Sequence, residues 1–223
     1  MHIPDGFIDI PTSAAFAAIA AVGVAASLKG AKSSLDDKTA PLAGLTATFI
    51  FAVQMLNFAV AAGTSGHLIG AALATVLVGP YAATLAITIV LLLQALLFAD
   101  GGLSALGLSV FNMSIIAVWV SYAIFLALKK ILPKTKSSTT AAAGVAALIS
   151  VPAAAAGFVL QYAIGANATF SVGTVLNAMV GTHILIGIGE AIITALTVSA
   201  VLASRSDLVF GWDDKNIKLE IRS

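Results

Sequence analysis

The sequence predicts an all-α integral membrane protein: a bundle of about seven transmembrane helices, one of them short, with its N-terminus outside and its C-terminus in the cytoplasm. Three observations carry this. Of 223 residues, 60% are hydrophobic and 9% charged, against about 25% charged in a soluble domain. A mean hydropathy of +1.06 leaves too little polar surface to face water, so the outer surface is matched to lipid. The 11 Lys and Arg residues gather in three clusters between long apolar runs.

The first apolar run, residues 12–28, has no Lys or Arg before it and has Lys29 and Lys32 after it. A cleavable signal carries its positive charge in front, so this run reads as a retained helix with an outer N-terminus. Runs 41–62, 82–99, 104–128, 139–163 and 172–204 follow. Each approaches the length of about 20 residues that a crossing needs, and Gly, Pro, Asp and Lys mark the joints. Residues 67–78 make a run of only 12. As a helix it spans about 18 Å, short for a hydrocarbon core of roughly 30 Å.

Charge decides whether the short run crosses, because positive loops stay in the cytoplasm. If it does, Lys29, Lys32 and Lys38, then Lys129, Lys130, Lys134 and Lys136, then Arg205, Lys215, Lys218 and Arg222 all fall on one side. If it does not, the first cluster is split from the others. Seven crossings follow. Asp5, Asp9 and Asp100 then lie outside, and residues 1–12 share that face with the turn at 61–66. Gly66, Gly70 and Ala74 recur every fourth residue, a spacing of small side chains that lets helix backbones approach closely in a membrane. Thr64 and Ser65 are candidate N-caps for the short helix. The division is a membrane domain over residues 1–204, with 1–11 as an outer arm, and a cytoplasmic tail over 205–223. Residues 216–222 alternate as a strand would, and Phe210 and Trp212 have the character of interfacial anchors.

Several function classes are excluded. The chain has no cysteine, hence no disulfide, thiolate metal site or Cys nucleophile. It has no GxxxxGK[ST] phosphate loop and no HExxH or GxSxG. Its basic clusters flank membrane runs, with no nucleic-acid motif beside them.

Polar groups inside a membrane are rare, and each is a functional hypothesis. Here they are Gln54, Asn57, Gln94, Asn112, Asn177, His183 and Glu190. His2 stands beside the Met1 amine. That amine, the His2 amide nitrogen and the His2 imidazole can close fused five- and six-membered chelate rings, giving three nitrogen donors. A fourth nitrogen would complete a square plane, which suits Ni(II) or Cu(II). His67, at the same outer face, could supply it, and Pro4 and Pro11 stiffen the arm. The plainer alternatives are an unstructured terminus for His2 and a cap or packed residue for His67. His183 and Glu190 are two helical turns apart on one face, about 10 Å along the axis. They could form a second metal position, a proton relay, a catalytic pair or a hydrogen-bonded helix tie.

The opening Met1-His2-Ile3-Pro4-Asp5-Gly6, Ser65-Gly66-His67 and the seven-span count together resemble the CbiM/NikM family. These are the substrate-capture membrane subunits of cobalt and nickel energy-coupling factor transporters. The likeness runs from Met1 to about residue 203. It implies a plane of four nitrogens: the Met1 amine, the His2 amide, the His2 imidazole and the His67 imidazole. Apart from the resemblance, Ser65 and Asp5 are candidates by reach for orienting His67. The likeness also implies Ni(II) or Co(II) as transported substrate, no cofactor and no enzymatic activity of the chain itself. Partners would be a small accessory membrane subunit, a transmembrane coupling subunit and cytoplasmic ATPase subunits, in the cell membrane of a prokaryote. Ile3-Pro4-Asp5-Gly6 is closer to the nickel branch. With these ligands, binding is expected to weaken as pH falls through the histidine range near 6.5. Rival readings are an autonomous small-solute channel or permease, a membrane-embedded enzyme using His183 and Glu190, and a purely structural subunit.

Overall fold

A computed structural model describes residues 1–34, 39–60 and 64–212. The helices are α1 (Ile10–Ser34), α2 (Thr39–Gln54), α3 (Ala71–Val78), α4 (Pro80–Leu97), α5 (Leu106–Val110), α6 (Ala117–Ile131), α7 (Lys136–Gly165) and α8 (Val172–Ser204). A π-helical stretch, Phe111–Ile116, joins α5 to α6, so these run as one rod of 26 residues. That leaves seven rods, in keeping with the expected bundle. Five are long and apolar enough to cross a membrane, and α2 is a shorter apolar helix. Between α2 and α3 sits a small antiparallel hairpin, β1 (Phe58–Val60) with β2 (Thr64–Gly66).

Local chemistry sets the boundaries. Asp9 accepts from the Thr12 N–H at 2.7 Å and starts α1. Thr135 caps α7 through the Ser138 N–H at 3.1 Å, and Ser171 caps α8 through the Thr174 N–H at 3.1 Å. Pro80 opens α4, where its missing N–H costs nothing.

The short run differs from the sequence expectation. Only Ala71–Val78 is helical, and all eight residues are buried. The N-cap is Gly70, at φ 79°, not Thr64 or Ser65. This left-handed backbone favours glycine, and a Cβ there would stand 2.8 Å from an Ile50 side-chain carbon. Gly66 lies in β2, so Gly66, Gly70 and Ala74 form no helical stripe. Close approach occurs elsewhere. A Cβ on Gly187 of α8 would sit 3.1 Å from the Leu148 carbonyl of α7, and one on Gly107 of α5 would overlap Ala17 of α1.

The N-terminal arm, the α4–α5 loop and the α7–α8 loop meet at one end of the bundle. Asp9 N–H donates to the Gly165 carbonyl at 2.7 Å, and Gly102 N–H donates to the Ile3 carbonyl at 2.8 Å. At the other end, Lys129 donates to the Gly211 carbonyl at 2.8 Å and Lys136 to the Leu202 carbonyl at 2.6 Å. The start of the tail is therefore packed, not solvated. Val209 and Gly211 are buried, and Gly211 lies against Phe125 and Val76. The expected strand at 216–222 lies outside the described residues, as do Lys38, Lys215, Lys218 and Arg222.

Gly107→Ala should therefore lower the thermal unfolding temperature of the detergent-solubilised protein, since overpacking costs about 1–3 kcal/mol. Gly44→Ala, where nothing lies within 4 Å of the added carbon, should leave it unchanged.

Candidate metal centre

Two walls form the site. The first is the arm. Pro4 and Gly6 (φ 75°) turn the chain so that the Phe7 N–H donates to the Pro4 carbonyl at 3.3 Å. Phe7 then packs on Tyr162 and Phe158, with ring centroids at 5.3 and 5.9 Å. Asn167 donates to the Gly6 carbonyl at 3.2 Å. Asp5 accepts from the Ser104 N–H at 2.8 Å and from its hydroxyl at 2.5 Å, which holds its carboxyl below the usual range. Asp5 thus fixes the arm to the α4–α5 loop and does not orient His67, the role expected for it. Held at both edges, the arm points its first two residues inward. Met1 is 0% exposed and His2 5%.

The second wall is the stretch between β2 and α3, which carries His67. His67 does not open the helix, as the sequence suggested, but precedes it by four residues, outside any regular element. The peptide two residues on is clamped from two helices. Ile69 N–H donates to Glu190 of α8 at 2.6 Å, and Gly70 N–H donates to the same carboxylate at 2.9 Å. The Ile69 carbonyl accepts from Gln54 of α2 at 2.7 Å. Glu190 is therefore committed to the start of α3 and is not paired with His183.

The histidines meet across these walls. His67 Nδ1 lies 2.8 Å from the Leu68 carbonyl. A carbonyl only accepts, so the proton is on Nδ1 and Nε2 presents a lone pair. That Nε2 contacts the Met1 amine nitrogen. The His2 and His67 rings stack at 4.8 Å between centroids and 29° between planes. Asp100 Oδ2 stands 3.5 Å from His2 Nε2 and favours a proton there, which leaves the lone pair on Nδ1. Asn57 holds Asp100 at 3.3 Å. Burial pulls the Met1 amine down from 8.0 to about 4, against the Asp100 charge, which acts to raise it. Burial, then the neighbouring amine charge, pulls His2 from 6.5 to about 3. Burial also pushes the Asp100 carboxyl up, against the amine and Asn57. Burial thus favours the neutral form of the amine and of the His2 imidazole, the form in which such nitrogens bind a metal.

The fold thus gathers Met1, His2 and His67 at one point. Sequence reasoning missed the parts that Asp100, Asn57 and Gln54 play. Asp100-Gly101-Gly102 was legible only as a turn, and nothing local joins it to His2. The Ser65 side chain lies outside the described residues. Asn177 is exposed on α8, not in the core. Asn112, on the π stretch, donates to Gln161 of α7 at 2.8 Å as a helix tie.

Residues 2–208 match the family described as CbiM, the cobalt uptake substrate-specific transmembrane region. The chain belongs to this family. A Haloquadratum walsbyi protein is 35% identical over 100% of both chains. The cobalt transport protein CbiM of Sorangium cellulosum is 30% identical, over 94% of each chain. The fused nickel transport protein NikMN of Rhodobacter capsulatus is 31% identical over 94% of this chain and 64% of its own length. Among solved structures, a transition metal transporter matches with TM-score 0.85 at 29% identity, over 100% of this chain and 99% of its own. A truncated one matches with TM-score 0.83 at 32% identity, over 91% and 99%. Membership in CbiM makes the chain a membrane component of a cobalt or nickel transporter and not an enzyme.

Glu190→Gln turns one acceptor into a donor facing a backbone N–H. The metal-free protein should lose about 1–3 kcal/mol of stability, read as a lower thermal unfolding midpoint.

Proposed function

We propose that this chain is the substrate-capture subunit of an ATP-driven uptake transporter, holding Ni(II) or Co(II) at the outer face of the cell membrane. Four nitrogens would hold the ion: the Met1 amine, the His2 amide nitrogen, His2 Nδ1 and His67 Nε2. The single observation that carries this is the buried contact of His67 Nε2 with the Met1 amine, beneath the stacked His2 ring. In an amine–amide–imidazole chelate the ring nitrogen that closes the six-membered ring is Nδ1, the one left open here. The fourth donor must lie beside both the amine and that ring, where His67 lies. Asp100 behind His2 and the Leu68 carbonyl behind His67 are acceptors of the kind that fix a metal-bound imidazole. The ion is cargo and no cofactor is implied.

The family resemblance supports the rest of the reading. The chain would work with a small accessory membrane subunit, a transmembrane coupling subunit and cytoplasmic ATPase subunits. The nickel branch is favoured by Ile3-Pro4-Asp5-Gly6 and by relatives named for nickel transport. The membrane domain over residues 1–204, the cytoplasmic tail over 205–223 and the outer N-terminus belong to the same reading. Lys129 and Lys136, at the end of the bundle opposite the site, agree with that orientation. The alternative of an enzyme built on His183 and Glu190 loses its support, because the Glu190 carboxylate is already occupied by two backbone amides.

The deciding experiment is nickel and cobalt calorimetry on purified chain with a native N-terminus, beside a version with one glycine inserted after Met1. Tight binding by the first and its loss in the second is the expected result. Equal binding by both would sink the chelate.

The pH dependence follows from burial. The docked amine binds its proton only near pH 4, whereas a released arm would bind one below about 8. The released arm therefore carries more protons between those values, and acidification favours release. The docked imidazole of His2 is likewise neutral down to about 3. At pH 7 the amide is then the one ligand with a proton to lose, so binding should release about one proton. Calorimetry in buffers of different ionisation enthalpy counts it. Release of three or more would show that the arm is undocked and protonated before the metal arrives.

A further inference from the structure

The histidines share one feature. An acceptor faces one ring nitrogen of each. For His2 the acceptor is Asp100 and for His67 the Leu68 carbonyl. The third histidine is built the same way. His183 is 0% exposed, and its Nδ1 lies 2.7 Å from the Met179 carbonyl. The proton is therefore on Nδ1, and Nε2 carries a lone pair. Among the described residues nothing bonds to that buried Nε2. An acceptor left unsatisfied in a protein interior costs about 1–3 kcal/mol, which sets it apart from a helix tie.

Its position is as telling. Both α3 and α8 run away from the end of the bundle that holds the arm. Going back along α8 from Glu190 to His183 covers two turns, about 10 Å. His67 stands two residues before Ile69, which Glu190 holds, a reach of at most about 7 Å. The Glu190 bonds to Ile69 and Gly70 hold α8 against the chain that carries His67, and His183 lies on the side of that clamp toward the arm. His183 also stands eleven residues into α8, about 16 Å along its axis, and so below the loops that seat the arm.

We propose that His183 is a further metal donor, whose Nε2 receives the ion as it leaves the Met1–His2–His67 plane toward the cytoplasm; this rests on the function proposed above. The step is a ligand exchange with no redox change. One planar nitrogen releases the ion as Nε2 binds it, and the His2 amide nitrogen recovers its proton from water. Imidazole suits both Ni(II) and Co(II).

The test uses native chain, His183→Gln and His183→Cys. Nickel binding is measured on each purified full chain. Accumulation of radioactive nickel is measured in cells that make each chain together with its coupling and ATPase subunits. The proposal expects unchanged binding by both variants. It expects a fall in accumulation of about tenfold or more for His183→Gln, and partial recovery for His183→Cys, which restores a metal-binding atom. Native accumulation by the Gln variant, loss of nickel binding by the purified variants, or no recovery with Cys would each overturn it. If the native chain itself neither binds nor accumulates nickel, the proposed function fails and this inference fails with it.

Discussion

The start of α3 has a problem that no local sequence can solve. Its first amides have no helical partners, and they lie inside a bundle whose outer surface faces lipid. Unsatisfied backbone groups are costly there, and only protein can supply the missing acceptor. Glu190 does so from α8, with both oxygens engaged by consecutive N–H groups. A carboxylate at a helix start is also favoured by the helix dipole, and such charge-assisted bonds are stronger than neutral ones. Gln54 completes the clamp from α2. Two helices thus converge on Ile69, two residues from His67, and the position of that imidazole depends on them.

The opposing wall solves a different problem. A free amine at a chain end is normally charged and solvated. Here a short arm is held at both edges by backbone bonds to the α4–α5 and α7–α8 loops. Its two prolines and the Phe7 stack leave it little freedom. Docking buries the amine and keeps it neutral. The two walls then bring the amine and the His67 imidazole nitrogen into contact. Asp100 stands on His2 Nε2, away from that contact.

What could be read in advance divides by range. Met1 and His2 could be singled out because covalent adjacency fixes the ring sizes a chelate there would have. The number of helical rods was legible because long apolar runs, with Lys and Arg gathered between them, mark where each rod begins and ends. His67 was singled out through its place near the outer face and through family likeness. The reading of His183 with Glu190 as partners failed for a physical reason. Helical spacing shows that two residues share a face, but it cannot say which group on another helix each will meet. The α3 boundary failed similarly, because Gly70 adopts a left-handed turn against Ile50, and the small-residue repeat looked helical without being so.

By itself, then, the sequence determined the solvent and the class of fold, and it singled out the first two residues as a place to look. These follow from composition, charge and bonded geometry. Only the tertiary structure decided that Asp100 stands behind His2, that Glu190 and Gln54 clamp Ile69, and that His183 keeps an open nitrogen near the same point. Those contacts join residues as much as 121 positions apart. They exist because buried polar groups must find partners wherever the packed helices place them, and that pairing is a property of the assembled bundle.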